Sequence, residues 1–208
     1  PQTGEILIQE DLARTLELIA EKGFDGFYRG ETAQEMLFDV AKYGGNWNAQ
    51  DLTGYKVVER TPMVIDYNGW RSTTARPPSS GGVAIAQMLN ILQPWDLRTM
   101  QPVMRTHLIT EAMRRAYRDR SLYLGDPDFN QIPIERLISR NYAAGLRASI
   151  NPDKATPSAL LPGKLAPGED DETTHFSIID SAGNRVSGPQ TVNLIYGSGM
   201  IVEGTGFL

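Results

Sequence analysis

The chain has 208 residues, 40% of them hydrophobic, a length that fits one or two domains with a sizeable core. A net charge of −5 with no basic run excludes a nucleic-acid surface, and no apolar stretch approaches the ~20 residues that span a bilayer. Zero cysteines exclude disulfides and thiolate metal sites, and two histidines without ligand spacing supply no metal centre.

In chain order, Gln9-Glu10-Asp11 lead into Leu12, Leu16 and Ile19 at helical spacing, with Gly23 where a left-handed C-terminal residue belongs. A second helix is predicted from Glu31 to Tyr43, with Met36, Leu37 and Val40 inward and Gly44-Gly45 ending it. Asp51 caps a short turn. Lys56 to Arg60 and Met63 to Tyr67 read as strands, and Asn68-Gly69 is a hairpin signal that returns the chain through Trp70 to Thr74. The β-rich part is therefore expected near residues 56–74.

Pro77-Pro78-Ser79-Ser80-Gly81-Gly82 lacks the Lys of a phosphate-binding loop and precedes an apolar run, Val83 to Leu92. It reads as the entry to a buried helix, capped by Ser79 or Ser80, with glycines that allow close packing on neighbouring backbone. The longest helix is predicted from Pro102 to Leu122. Its expected inner face is Val103, His107, Ala112, Ala116 and Tyr117, leaving Arg114, Arg115, Arg118 and Arg120 for solvent or for pairs with Glu111 and Asp119. His107 is read as a hydrogen-bonded helix residue rather than a ligand. Gly125-Asp126-Pro127-Asp128 is a turn in which Asp bonds its own backbone, with a cation at Asp126 and Asp128 as the alternative. Ile134 to Ile138 and Asn141 to Ile150 read as two short helices.

Residues 151–172 form a polar strap bearing Pro and Gly, and Thr173 stands where it becomes the strand Thr174 to Asp180. The turn Ser181-Ala182-Gly183-Asn184, bracketed by Asp180 and Asn184, returns the chain through Arg185 to Asn193. A Thr hydroxyl needs a base. If the chain cuts itself before Thr173, the new α-amine, with a reference pKa of roughly 7.7–8.0, supplies that base. On spacing alone, Thr-Thr opening a strand is equally β-branched packing. His175 falls on the face of Thr173 by strand alternation, either as a partner base or in a structural hydrogen bond.

The run TTHFSIIDSAGNRVSGPQTVN (173–193) resembles the start of the small subunit of the γ-glutamyltranspeptidases, which belong to the N-terminal-nucleophile hydrolase superfamily. PPSSGGVAIAQMLNIL (77–92), EAMRRAYRDRSLYLGDPDF (111–129) and PGKLAP (162–167) resemble the same family in the same order. The resemblance implies an α+β fold, a helix-rich part of an αββα sandwich with short antiparallel strands. It implies a large-subunit part at 1–172 and the start of a small subunit at 173–208, released from one precursor by self-cleavage between Glu172 and Thr173. It implies Thr173 as nucleophile, Thr191 as its neighbour in autoprocessing and binding, and Asn193 as a contact of the γ-glutamyl donor.

The implied reaction moves a γ-glutamyl group from glutathione or a related amide to water, an amino acid or a peptide. No cofactor and no metal is called for, a homo-oligomer is allowed, and a periplasmic or secreted location is implied. Alternatives are a cephalosporin or glutaryl acylase, a poly-γ-glutamate hydrolase, or an uncleaved, non-catalytic remnant that only folds or associates. Two departures stand out. The family commonly has Ala-Thr where this chain has Gly188-Pro189, and a proline there deletes a ladder donor near Thr191 unless it lies at an edge or bulge. The family's donor-binding Arg, its acidic residue and its Ser-Ser and Gly-Gly motifs have no counterpart between Pro1 and Leu208. Because an isolated hairpin is marginally stable, the 208-residue chain alone is expected to be inactive and uncut at Glu172–Thr173, with residues 9–150 as its ordered core.

Overall fold

The computed structural model describes residues 2–163, 173–191 and 196–207. The order of elements is α1 (Glu10–Lys22), α2 (Phe24–Tyr28), α3 (Gly30–Lys42), α4 (Ala49–Thr53), β1 (Met63–Tyr67), β2 (Trp70–Thr74), α5 (Gly81–Leu92), α6 (Pro102–Tyr123), α7 (Ile134–Leu137), α8 (Arg140–Ala148), a 3-10 turn at Ser158–Leu160, β3 (Thr173–Ile179) and β4 (Arg185–Thr191). Among the described residues, two antiparallel hairpins, β1-β2 and β3-β4, make up the strands, so the α+β class with short antiparallel strands holds. By packing, the chain divides into residues 1–57 with 168–208, and residues 58–167. This division is independent of the one expected at Glu172–Thr173.

In the first unit, α1 to α4 meet the C-terminal stretch. Ala33, Met36, Leu52 and Val202 are buried together, with Phe27, Tyr28, Leu37, Met200 and Phe207 packed on them. Thr15 Oγ1 donates to Thr205 O at 2.9 Å, Arg14 donates to Gly204 O at 2.8 Å, and the Glu203 amide donates to Asp39 Oδ2 at 2.7 Å. The buried residue of α1 is thus Thr15, whereas Leu16, expected inward, is 56% exposed. The reason is the partner: the facing stretch presents backbone carbonyls, which a hydroxyl satisfies and a leucine does not. Met36 and Val40 are buried as their spacing predicts. Gly23 has a positive φ of 57° but ψ −129°, outside the left-handed helical region, because α2 begins at the next residue. Asp51 does cap a turn, as half of a capping box: its Oδ2 accepts the Asn48 amide at 2.8 Å while Asn48 Oδ1 accepts Gln50 N at 2.8 Å.

In the second unit, α5 packs against α6, α8 and β1. Met63, Ile65, Val83, Ala86 and Leu137 form one cluster, and Ile91, Leu92, Leu108, Ala112 and Ala143 another. Asn68 (φ 48°) and Gly69 (φ 83°) make the tight β1-β2 turn that Asn-Gly signals. Residues 56–60 are no strand: Val57 is 87% exposed and Val58 53%, and β-branched residues without a partner strand stay extended chain. Close packing at Gly82 is as read, since a Cβ there would lie 2.5 Å from Ala75 O. Ser80 occupies the N-cap position of α5 without a capping bond from its side chain; its Oγ instead accepts Arg120 Nε at 3.0 Å.

The expected inner face of α6 needs correction. Ala112 and Ala116 are buried, but Val103 is 83% exposed and Tyr117 54%, while Glu111, Arg115 and Asp119 are each 1% exposed. An α-helix this long is flanked by other elements on more than one side, and its second buried stripe is polar. The ion pairs predicted there do form: Arg114 and Arg115 with Glu111, and Arg118 with Asp119.

Candidate functional site

The β3-β4 hairpin is closed by its turn. Gly183 N donates to Asp180 O at 3.1 Å, Asp180 N donates to Asn184 O at 3.1 Å, and Gly183 has φ 82°. That is a three-residue loop with a left-handed glycine at the bulge. The Asp180 carboxylate accepts Asn184 Nδ2 at 2.7 Å, Asn184 N at 2.8 Å and Ala182 N at 2.9 Å. These bonds, the Asn184 side chain foremost, hold its pKa below the ordinary carboxylate value.

The turn sets the parity of the whole ladder. Because Asp180 and Asn184 are a hydrogen-bonded pair, the pairs 178–186, 176–188 and 174–190 are hydrogen-bonded too, and the pairs between them are not. Thr173 faces Thr191 in a non-hydrogen-bonded pair, the type in which Cα atoms approach to about 4.5 Å. The backbone therefore brings together the two threonines singled out from sequence. Pro189 faces His175, also in a non-hydrogen-bonded pair. Its missing N–H would have pointed away from β3, so the ladder loses no bond, contrary to the expectation that it deletes a donor near Thr191.

His175 Nε2 lies 3.1 Å from both Ser177 Oγ and Ser187 Oγ. This is the structural hydrogen bond of the two readings offered by the sequence. The side chains of Thr174 to Asp180 are exposed, with Phe176 46%, Ile178 57% and Val186 55% accessible on one face. Glu172 and Asn193 lie outside the described residues. A cavity of about 490 Å³ in the same unit is lined by Met36, Trp47, Ser198, Met200 and Phe207, and Thr191 is not among its lining residues. The acidic turn at 125–128 is self-contained: Asp128 N donates to Asp126 Oδ1 at 2.9 Å, and Asp128 pairs with Arg60 at 2.8 Å. Among the described residues no group of three or more His, Asp or Glu side chains is placed to hold a metal ion.

A family model described as gamma-glutamyltranspeptidase matches residues 1–208. The chain belongs to the gamma-glutamyltranspeptidase family. Within it, the glutathione hydrolase proenzyme of Pseudomonas sp. (strain A14) is 44% identical over 209 residues, which is 100% of this chain and 36% of that protein. The gamma-glutamyltranspeptidase of Helicobacter pylori matches with a TM-score of 0.74 and 38% identity over 81% of this chain and 50% of the other. A cephalosporin acylase from Bacillus halodurans matches all of this chain and 37% of its own with a TM-score of 0.77 and 29% identity. The chain thus spans little more than a third of the length of that glutathione hydrolase proenzyme. No helix among the described residues is long and apolar enough to cross a membrane.

Sequence reasoning missed the polar interior of α6. Glu111 Oε2 accepts Arg115 Nη1 and Thr156 Oγ1, each at 2.5 Å, and Glu111 Oε1 accepts Arg114 Nη1 at 2.9 Å and the Thr156 amide at 3.0 Å. Burial alone would raise the Glu111 carboxyl; the Thr156 and Arg115 bonds outweigh it and bring the pKa down to about 2. Asp119 accepts Gln87 Nε2 at 2.7 Å and the Tyr142 hydroxyl at 2.8 Å. Burial first, then that bond to Asp119, pushes Tyr142 up to about 12. The available signal was the spacing of polar residues at 111, 115 and 119, successive i, i+4 neighbours along one side of the helix.

Proposed function

We propose that Thr173 is the nucleophile of a γ-glutamyl transferase or hydrolase that matures by cutting its own chain between Glu172 and Thr173. The observation that carries this reading is the pairing of Thr173 with Thr191 at the point where the strap becomes β3, in a chain of this family. In maturation the Thr173 hydroxyl adds to the Glu172 carbonyl carbon and the amide C–N bond breaks. Its nitrogen leaves as the free α-amine, taking the hydroxyl proton, and water then hydrolyses the ester to a Glu172 carboxylate and the restored hydroxyl. In turnover that amine takes the hydroxyl proton as the γ-glutamyl carbonyl is attacked, and hands it to the departing amine. Water or the amine of an amino acid or peptide then releases the acyl group. Thr191 supports maturation, and Asn193 hydrogen-bonds the donor. Donors are glutathione and related γ-glutamyl amides, the two subunits come from one precursor, and the location is periplasmic or secreted.

The test uses the full-length precursor. Thr173→Ala should stay as one band on a denaturing gel and release no p-nitroaniline from γ-glutamyl-p-nitroanilide, while Thr173→Ser keeps part of both activities. Asn193→Ala should mature and show a raised KM, by a factor of ten or more, because a hydrogen bond to a charged group is worth ~1.5–3 kcal/mol. Maturation and turnover in Thr173→Ala would remove the assignment. A wild-type precursor that stays intact would favour the non-catalytic remnant, and turnover of a glutaryl amide in place of the γ-glutamyl one would favour the acylase.

A further inference from the structure

The second unit holds a cavity of about 690 Å³ between the tip of the β1-β2 hairpin and the loop that follows α5. Tyr67, Trp70 and Trp95 supply its rings, and Asn68, Gln93, Asp96 and Arg98 its polar side chains. Two of the chain's three tryptophans thus line one cavity, and Trp70 stays 68% exposed there. Both walls are held in place. Asn68 and Gly69 make the tight turn across which Tyr67 faces Trp70. Trp95 N donates to Leu92 O at 3.0 Å, and its ring packs on the cluster around Ile91 and Leu108. Asp96 Oδ1 accepts Arg98 Nε at 3.0 Å and Arg98 N at 3.2 Å, and Asp96 Oδ2 accepts Arg98 Nη2 at 3.2 Å. A fixed cavity of this size, with rings and a few polar groups converging on it, has the make-up of a small-molecule site.

The lining narrows the ligand. Its two charged side chains have opposite sign and pair with each other, so an ion of either sign meets no uncompensated charge. The Arg98 side chain holds the Asp96 carboxyl below its ordinary pKa, which keeps that pair intact. A wholly apolar ligand would strip water from these polar groups and return no hydrogen bond. Asn68 stands in the hairpin turn, Gln93 at the end of α5, and Asp96 with Arg98 in the loop, so the ligand must carry polar groups around its whole edge. A planar heterocycle concentrates them on fewer edges. We propose that this cavity binds a neutral pyranose sugar, its C–H face on the Trp70 ring and its hydroxyls on the surrounding polar groups. Arg98 spends two of its five guanidinium N–H groups on Asp96, which leaves three for neighbouring hydroxyls. The site uses none of the residues assigned to γ-glutamyl chemistry.

The experiment titrates the full-length protein with maltotriose, cellotriose and chitotriose, by calorimetry and saturation-transfer NMR. At least one should bind saturably, with a Kd of about 1 mM. Trp70→Ala should weaken it about ten-fold, Trp70→Phe less, and Arg98→Ala about five-fold. Both side chains are exposed, so the thermal midpoint should stay within about 2 °C of wild type, which separates a binding role from a structural one. Should Trp70→Ala fail to fold, Trp70→Phe and Arg98→Ala decide. A trisaccharide that binds more tightly than methyl glucoside marks a glycan chain as the source, and equal affinity marks a free sugar; either outcome supports the site. No saturation by any of the sugars up to about 50 mM would overturn the proposal. So would binding undiminished in Trp70→Phe or Arg98→Ala, or binding of tetramethylammonium or adenosine in place of the sugars.

Discussion

At the scale of single residues, the buried carboxylate of Glu111 makes the sharpest demand. Its pKa is lowered from 4.5 to about 2, so its stabilisation is complete above the unfolded value of 4.5 and is lost as pH falls from there towards 2. The shift corresponds to about 3 kcal/mol. Glu111→Gln keeps the shape but leaves Arg115 without a counter-charge, and should cost ~3–5 kcal/mol at pH 7. Denaturant unfolding at pH 7 and at pH 2.5 checks this: the gap between wild type and variant should shrink at the lower pH, and a constant gap would contradict the assigned cause. The sequence made the pairing of Glu111 with Arg114 and Arg115 legible through i, i+3 and i, i+4 spacing. It did not make legible that the pair is buried, because the groups that bury it, Leu146, Ser149 and Thr156, lie 31 to 45 residues further on. The β3-β4 hairpin was legible for a different reason: its strands, turn and register follow from residues 173–191 alone.

At the scale of elements, helix ends and tight turns followed local chemistry and were readable, as Asn48 with Asp51, Asn68-Gly69 and Asp180 with Asn184 show. Strand existence was less so. Residues 56–60 have the composition of a strand and no partner, whereas 63–67 have one, and the sequence does not distinguish the two cases. Pro189 shows how register decides a residue's cost. Placed in a non-hydrogen-bonded pair it leaves the β3-β4 ladder whole, but one position on, Gln190 faces Thr174 in a hydrogen-bonded pair. Pro189→Thr should accordingly change hydrogen exchange at the Thr174 amide by less than a factor of about two. Gln190→Pro removes a ladder bond beside Thr191, worth ~0.5–1.5 kcal/mol net, and adds a steric penalty. It should speed exchange at Thr174 by ten-fold or more and impair self-cleavage of a full-length precursor. Equal effects of the two prolines would mean that the ladder has the other parity.

At the scale of the molecule, the fold joins what the sequence keeps farthest apart. The tail at 196–207 completes the core of α1 to α4: Val202 is 4% exposed and Thr205 0%, and the bond from Thr15 to Thr205 spans 190 residues. No local pattern announces such a contact, and the expectation of an ordered core confined to residues 9–150 left this stretch out. The consequence is testable by truncation. Ending the chain at Thr191 removes Val202, Met200 and Phe207 from the cluster around Ala33, Met36 and Leu52, at ~1.5–3 kcal/mol for each large side chain taken away. It also strips partners from Thr15 and from the buried Asp39. Among the described residues, the clusters around α5 contain none beyond 150. Amide exchange in the truncated chain should therefore rise by two orders of magnitude or more in α1 and α3 while α5, α6 and α8 keep their protection. Unchanged protection in α3 would show that its core does not need the tail, and the cluster would have to be redrawn without Val202.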